Sequence, residues 1–143
     1  MTGKIPQVRP LQRIPHVDHF FQTHGYAVIA DWISDQIRCV DADVPVVVSG
    51  CRMPEEVLSV RRHRPNAKSV AIHASLSDRF LWLRARGRAD APESIDELFR
   101  LTAWEMTLGL ANILYRADAI EINDGSLDRL WQSILSAAKN DDR

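Results

Sequence analysis

Three short apolar segments recur along the chain, and polar residues follow each of them. The segments are residues 44–48 (VPVVV), 69–73 (SVAIH) and 119–122 (AIEI). Continuous apolar runs, as opposed to alternating ones, are typical of strands that are covered on both faces of a sheet. The pattern therefore predicts three buried strands.

Each predicted strand is followed by residues that favour the start of a helix. Pro54 suits the first position of a helix, and Glu55 and Glu56 then lie in its first turn. The segments 75–78 and 124–128 supply capping side chains after the second and third strands. Strands that alternate with helices predict an α/β fold, with a short, mostly parallel sheet in a three-layer arrangement flanked by helices.

The amino-terminal part of the chain has a different pattern. Residues 1–15 contain three prolines and no apolar period, which predicts an irregular arm. Residues 16–39 carry apolar side chains at helical spacing, and Gly25 divides them into two predicted helices. Residues 16–143 are expected to form one α/β domain, because a chain of 143 residues is ordinary for a single domain.

Composition and charge exclude several classes of protein. Apolar residues make up 45% of the chain, and the formal net charge of -1 excludes a global polycation. A nucleic-acid partner is not expected, because the basic run at 61–64 has no interleaved aromatic residues. No run approaches the roughly 18 apolar residues of a membrane span. Two cysteines without framework spacing favour a reducing compartment, and the cytoplasm is the expected location. However, residues 45–90 hold nine basic and four acidic residues. This local excess is typical either of an anion site or of a solvated cationic face that an acidic face of the molecule balances.

Three motifs follow the predicted strands in a distinctive order. Gly50-Cys51-Arg52 comes after the first strand, arginines recur at 84, 86 and 88, and Asn123-Asp124-Gly125 follows the third strand. Ligands of parallel α/β sheets bind beyond the carboxyl ends of the strands, where the first and third motifs lie. This order resembles the carboxyl-terminal part of the P-loop nucleotide-kinase superfamily, in particular its adenylate-kinase-like and dephospho-coenzyme A kinase-like branches. The resemblance covers residues 25–137.

The resemblance implies roles for eight residues. Gly50 and Arg52 would hold the phosphate of the acceptor, for which the planar guanidinium is suited. The other six would be lid arginines that neutralise the transferred phosphoryl group (Arg84, Arg86 and Arg88) and the loop beside the base of the donor (Asn123, Asp124 and Gly125). The alternatives are a surface arginine at a helix start, a solvated helix face, and an ordinary turn with a helix cap.

The chain departs from the kinase pattern at two points. A phosphate loop requires G-x-x-x-x-G-K-[ST], whereas Gly3-Lys4 lacks the preceding glycine loop and is followed by Ile5. Ser49 stands where the family commonly has an aspartate, and a hydroxyl is a weaker magnesium partner than a carboxylate. No cofactor is expected for this chain by itself, and ATP and magnesium are expected only if a phosphate loop is supplied. No metal site is predicted.

In the resembling family, the strand that precedes the phosphate loop lies between the strands that correspond to 44–48 and 69–73. Without it, the backbone N–H and C=O groups of these two segments need other partners. We expect 44–48 and 69–73 to pair directly within the monomer, because the composition is that of an independently folding domain. The alternative is a strand from a partner or a second copy that fills the slot.

Three functional hypotheses remain open from the sequence. The first is a degenerate nucleotide-kinase-like domain that is non-catalytic alone and binds a phosphorylated small molecule or a partner protein. The second is a nucleoside, nucleotide or dephospho-coenzyme A kinase whose phosphate loop comes from another chain or a missing amino-terminal segment. The third is a structural subunit that uses an exposed sheet edge for contact with a partner or for self-association. No membrane partner is expected.

Overall fold

The computed structural model describes residues 10–89 and 91–139 of the chain. Helices surround a two-stranded parallel sheet, which confirms the predicted α/β class. The elements are, in chain order, α1 (Pro10–His24), α2 (Val28–Arg38), α3 (Pro54–His63), β1 (Val70–His73), α4 (Leu76–Ala85), α5 (Ile95–Glu105), a π-helical turn (Met106–Leu110), α6 (Ala111–Tyr115), β2 (Ala119–Ile122) and α7 (Leu127–Lys139).

Helix α1 begins earlier than the sequence predicts. It starts at Pro10, so residues 10–15 are helical and not part of an irregular arm. Proline is tolerated at the first helical position, where the missing N–H has no intrahelical partner to lose. The remainder of the predicted arm, residues 1–9, lies outside the described residues. The predicted break at Gly25 is confirmed, because this glycine has a φ of 82° between α1 and α2.

The apolar core is formed by side chains from α1, α2, α5 and β1 and from the N-cap of α3. Its buried hydrophobic residues are Phe21, Ala30, Ile33, Ile37, Met53, Ala71 and Leu98. The buried Ser59 hydroxyl of α3 donates to the carbonyl oxygen of Ala30 at 2.6 Å, which joins α3 to α2 without leaving a buried polar group unpaired. This core fixes the start of α3, where the candidate phosphate arginine lies.

The sheet pairs β1 with β2 in parallel, with Val70 opposite Ala119 and His73 opposite Ile122. Asp118 holds the amino ends of the two strands together, because its carboxylate accepts from the Ser69 backbone N–H at 2.6 Å and from Arg61 at 2.7 Å. Although partial burial opposes the effect, the hydrogen bonds from Ser69 and the charge of Arg61 lower the pKa of Asp118. This carboxylate is therefore ionised at neutral pH.

The segment 44–48 is not a strand, so the prediction of direct pairing with 69–73 is wrong. Residues 45–50 are irregular, and the Val47 side chain is 91% exposed. Within the described residues, β1 pairs only with β2, so no neighbouring strand holds 44–48 in an extended ladder. A β-branched run favours a strand only when a neighbour accepts and donates its backbone hydrogen bonds, and that neighbour is missing from the described part of the chain.

Within residues 10–89 and 91–139, no helix has both the length and the apolar character needed to cross a membrane.

Candidate functional site

A cavity of about 590 Å³ lies between the start of α3, the end of α4 and the helix α5. Its lining includes the apolar side chains of Phe21, Leu98 and Trp104, which we call the floor of the cavity. Four arginines and two glutamates also line it: Arg52, Arg79, Arg86, Arg88, Glu56 and Glu105. An apolar floor with a small number of charged groups is typical of a small-molecule site, and the excess of guanidinium groups favours an anionic ligand.

The Arg52 side chain is held on one edge. Its Nε donates to Oε1 of Glu105 at 2.8 Å, and its Nη1 donates to the carbonyl oxygen of Gly50 at 3.0 Å. Gly50 has a φ of 83°, a left-handed conformation that places its carbonyl within reach of the guanidinium. The side chain of Arg52 is nevertheless 53% exposed, so its remaining N–H donors are accessible to a ligand.

The backbone beneath Arg52 is fixed by Glu56. The buried carboxylate of Glu56 accepts from the backbone N–H of Arg52 at 2.7 Å and from that of Met53 at 3.4 Å. A carboxylate in the first turn of a helix that bonds back to the N-cap region satisfies N–H groups that the helix itself leaves without partners. The local sequence Met53-Pro54-Glu55-Glu56 therefore determines the position from which Arg52 projects.

Two of the three predicted lid arginines line the cavity, and their predicted role in phosphoryl transfer stays a prediction. Arg86 and Arg88 line the cavity together with Arg79, whereas Arg84 is not among its lining residues. At 3.6 residues per turn, Arg86 lies about 20° from Arg79 around α4, whereas Arg84 lies about 140° away. Arg84 is exposed in the last turn of α4.

The loop predicted to lie beside the base of the donor is not part of the cavity. Asn123, Asp124 and Gly125 follow β2, and none of them is a lining residue. The Asn123 side chain accepts from the Gly125 N–H at 3.2 Å, and Asp124 pairs with Arg129 at 2.8 Å. The loop therefore has the geometry of a turn that leads into α7, and its predicted role stays a prediction.

Ser49 and Cys51 flank Gly50 without forming a reactive centre. Ser49 is exposed in the irregular segment 45–50. Burial, together with the neighbouring Glu56, raises the pKa of the Cys51 thiol, so the thiolate that a nucleophile or metal ligand requires is disfavoured. Among the described residues, no group of three or more histidine, cysteine, aspartate or glutamate side chains has the arrangement of a metal site.

Three charged residues that line the cavity, Glu56, Arg79 and Glu105, were absent from the site predicted from the sequence. The seven-residue spacing of Arg79 and Arg86 on an expected helix indicates a shared face, and this signal was available in the sequence. Glu105 is different, because its contact with Arg52 joins positions 53 residues apart. No local pattern marks such a pair.

Comparison with known proteins identifies relatives in archaea. A UPF0200 protein of Pyrococcus abyssi is 34% identical over 91 residues, which cover 62% of this chain and 49% of the relative. A UPF0200 protein of Pyrococcus furiosus is 36% identical over 99 residues, covering 68% of this chain and 53% of the relative. This chain is a homologue of the UPF0200 proteins.

A third UPF0200 protein, from Thermoplasma acidophilum, is 30% identical over 123 residues, which cover 80% of this chain and 66% of the relative. The chain thus spans about half the length of the first two UPF0200 relatives. No family model and no solved structure matches it. The names of these UPF0200 relatives state no substrate or activity.

Proposed function

We propose that this domain binds a phosphomonoester with an apolar or aromatic body, of which a nucleoside monophosphate is the model ligand. The observation that carries the proposal is the convergence of Arg52, Arg79, Arg86 and Arg88 on one cavity with an apolar floor. The guanidinium groups would take the phosphate, and the floor near Phe21 and Trp104 would take the body of the ligand.

The charge of the cavity supports a phosphomonoester in particular. Four guanidinium groups face two carboxylates, which leaves a net positive charge that suits a dianionic phosphate. A neutral nucleoside would retain only the contacts with the floor, and inorganic phosphate would retain only the contacts with the arginines. Both are therefore expected to bind more weakly than the phosphomonoester that combines them.

Binding of adenosine monophosphate, measured by titration calorimetry at low salt, tests this proposal. Arg86→Ala should weaken binding about tenfold, because a hydrogen bond to a charged group contributes about 1.5–3 kcal/mol. Arg84→Ala is the matched control on the same helix and should leave the affinity unchanged. Equal losses in the two variants, or adenosine binding as tightly as adenosine monophosphate, would contradict the proposed site.

A second function is favoured by the unfilled position beside the sheet. Among the described residues, β1 has a neighbour on one side only, and its Ile72 side chain is 51% exposed. A strand added along the other side of β1 would pair with the backbone N–H and C=O groups on that side, and would offer its own far side to 44–48. If that strand led into a glycine-rich phosphate loop, the domain would become the acceptor half of a kinase that uses ATP and magnesium.

The kinase hypothesis predicts protection of two backbone segments. We would co-express this chain with the part of the Pyrococcus furiosus UPF0200 protein that lies outside the matched region. Amides of 46–48 and 70–73 should exchange more slowly with deuterium in the mixture than in the chain alone, because a ladder protects its N–H groups. If deuterium exchange were unchanged and no phosphoryl group were transferred from ATP to adenosine monophosphate, the kinase hypothesis would be wrong. Phosphomonoester binding would then remain as the proposed function.

A further inference from the structure

We propose that Glu105 is a positioning residue, which holds one edge of the Arg52 guanidinium so that the other edge meets the ligand phosphate. The inference rests on the phosphate site proposed above and assigns it a residue that makes no contact with the ligand. The three observations that carry it are the geometry of the ion pair, the burial of Glu105, and the close packing that brings Glu105 to Arg52.

The ion pair leaves the phosphate-binding edge of Arg52 available. Glu105 accepts from Nε, and Gly50 accepts from Nη1, while no group in the described residues accepts from Nη2. A guanidinium can bind two oxygen atoms through the pair of terminal nitrogens while Nε is engaged elsewhere. The contact with Glu105 therefore orients Arg52 and leaves the terminal nitrogens of its guanidinium available to the ligand.

Because Glu105 is largely buried, an incoming anion is not expected to displace it from the Arg52 guanidinium. The Glu105 side chain is 15% exposed, whereas that of Arg52 is 53% exposed. If a phosphate pulled the guanidinium away, the carboxylate would remain largely desolvated without its cationic partner, which is unfavourable. The pair is therefore expected to persist in the complex, and Glu105 acts through Arg52.

The position of Glu105 is itself fixed by backbone packing. Glu105 is the last residue of α5, and the π-helical turn that follows contains Gly109 with a φ of 123°. A Cβ on Gly109 would lie 2.7 Å from Cδ of Pro54, so only glycine permits this approach of the π-helical turn to the start of α3. This contact brings the carboxylate of Glu105 opposite the side chain of Arg52.

Two substitutions at Glu105 separate orientation from charge. Glu105→Ala removes a negative charge from an anion site, so a purely electrostatic role predicts tighter binding of adenosine monophosphate. If Glu105 instead orients Arg52, the affinity of Glu105→Ala for adenosine monophosphate should fall about tenfold. This is the affinity equivalent of one charge-assisted hydrogen bond. Glu105→Gln keeps an oxygen acceptor for Nε and loses the charge, and it should bind at least as tightly as the unmodified chain.

The experiment is titration calorimetry of the full chain with adenosine monophosphate. Asp96→Ala is the matched control, because it removes a carboxylate from the same helix but outside the cavity, and its affinity should be unchanged. The inference is overturned if Glu105→Ala binds as tightly as the unmodified chain or more tightly. If the unmodified chain binds no adenosine monophosphate, or Arg52→Ala binds it equally well, the phosphate site itself fails and the role of Glu105 falls with it.

A second measurement does not depend on whether Glu105→Ala folds. In the unmodified chain, the Nε–H of Arg52 should exchange with water more slowly than that of the exposed Arg62, because a hydrogen bond to a largely buried carboxylate protects it. The same protection is expected in Glu105→Gln. Equal exchange at Arg52 and Arg62 would show that the carboxylate does not hold the guanidinium.

Discussion

Gly109→Ala is expected to lower the free energy of unfolding by about 3 kcal/mol or more. Alanine would have to adopt a φ of 123°, which L residues rarely occupy, and this strain alone is of order 1–3 kcal/mol. In addition, the new Cβ would lie 2.7 Å from Cδ of Pro54, a rigid ring that cannot rotate away. Denaturant titration followed by circular dichroism measures the loss.

Gly125→Ala is the matched control for this prediction. Gly125 has a φ of 104°, and a Cβ at this position meets no atom within 4 Å. It should therefore show only the cost of the backbone conformation, and the difference between the two variants isolates the contact with Pro54. If both variants lost the same stability, the close approach of the π-helical turn to α3 would be wrong.

Arg52→Ala is expected to produce the largest loss of ligand affinity, about 100-fold for adenosine monophosphate, because a bidentate contact supplies two charge-assisted hydrogen bonds. Arg52→Lys keeps the charge and loses the planar fork, so its affinity should lie between those of the unmodified chain and Arg52→Ala. Titration calorimetry at two salt concentrations should also show a weaker salt dependence for Arg52→Ala, because one fewer cation faces the phosphate.

The control for Arg52 is Arg62→Ala, an exposed arginine of α3 outside the cavity, which should retain full affinity. A modest loss of stability is expected in Arg52→Ala itself. The partner Glu105 is 15% exposed and would lose its ion pair, whereas the half-exposed arginine contributes little through its own burial. Equal affinity of Arg52→Ala and Arg62→Ala would return Arg52 to the class of surface arginines at helix starts.

Local patterns in the sequence determined much of the fold. The caps predicted in 75–78 and 124–128 are present in the structure, since the Ser75 hydroxyl accepts from the Asp78 N–H and the Ser126 hydroxyl accepts from the Arg129 N–H. The apolar runs at 70–73 and 119–122 pair in parallel, as the alternation of strands and helices predicts. These features depend on neighbours within a few residues, and the sequence contains that information directly.

The segment 44–48 shows why the same reasoning fails elsewhere. Its composition is as favourable to a strand as that of 70–73, but a strand exists only where a second backbone completes its hydrogen bonds. The structure pairs β1 with β2 and leaves 45–50 irregular. The sequence determined the propensity of this segment, whereas the arrangement of the other strands decided its conformation.

For the candidate site too, the sequence determined some features and the tertiary structure decided the others. The sequence by itself determined that Arg52 follows Gly50 at the start of α3 and that arginines cluster near the end of α4. Only the tertiary structure decided that Arg79 and Arg86 line the cavity while Arg84 does not, and that Glu105 meets Arg52 across 53 residues. The physical reason is that this contact depends on helix packing, here on the approach of Gly109 to Pro54, which no pattern of neighbouring residues encodes.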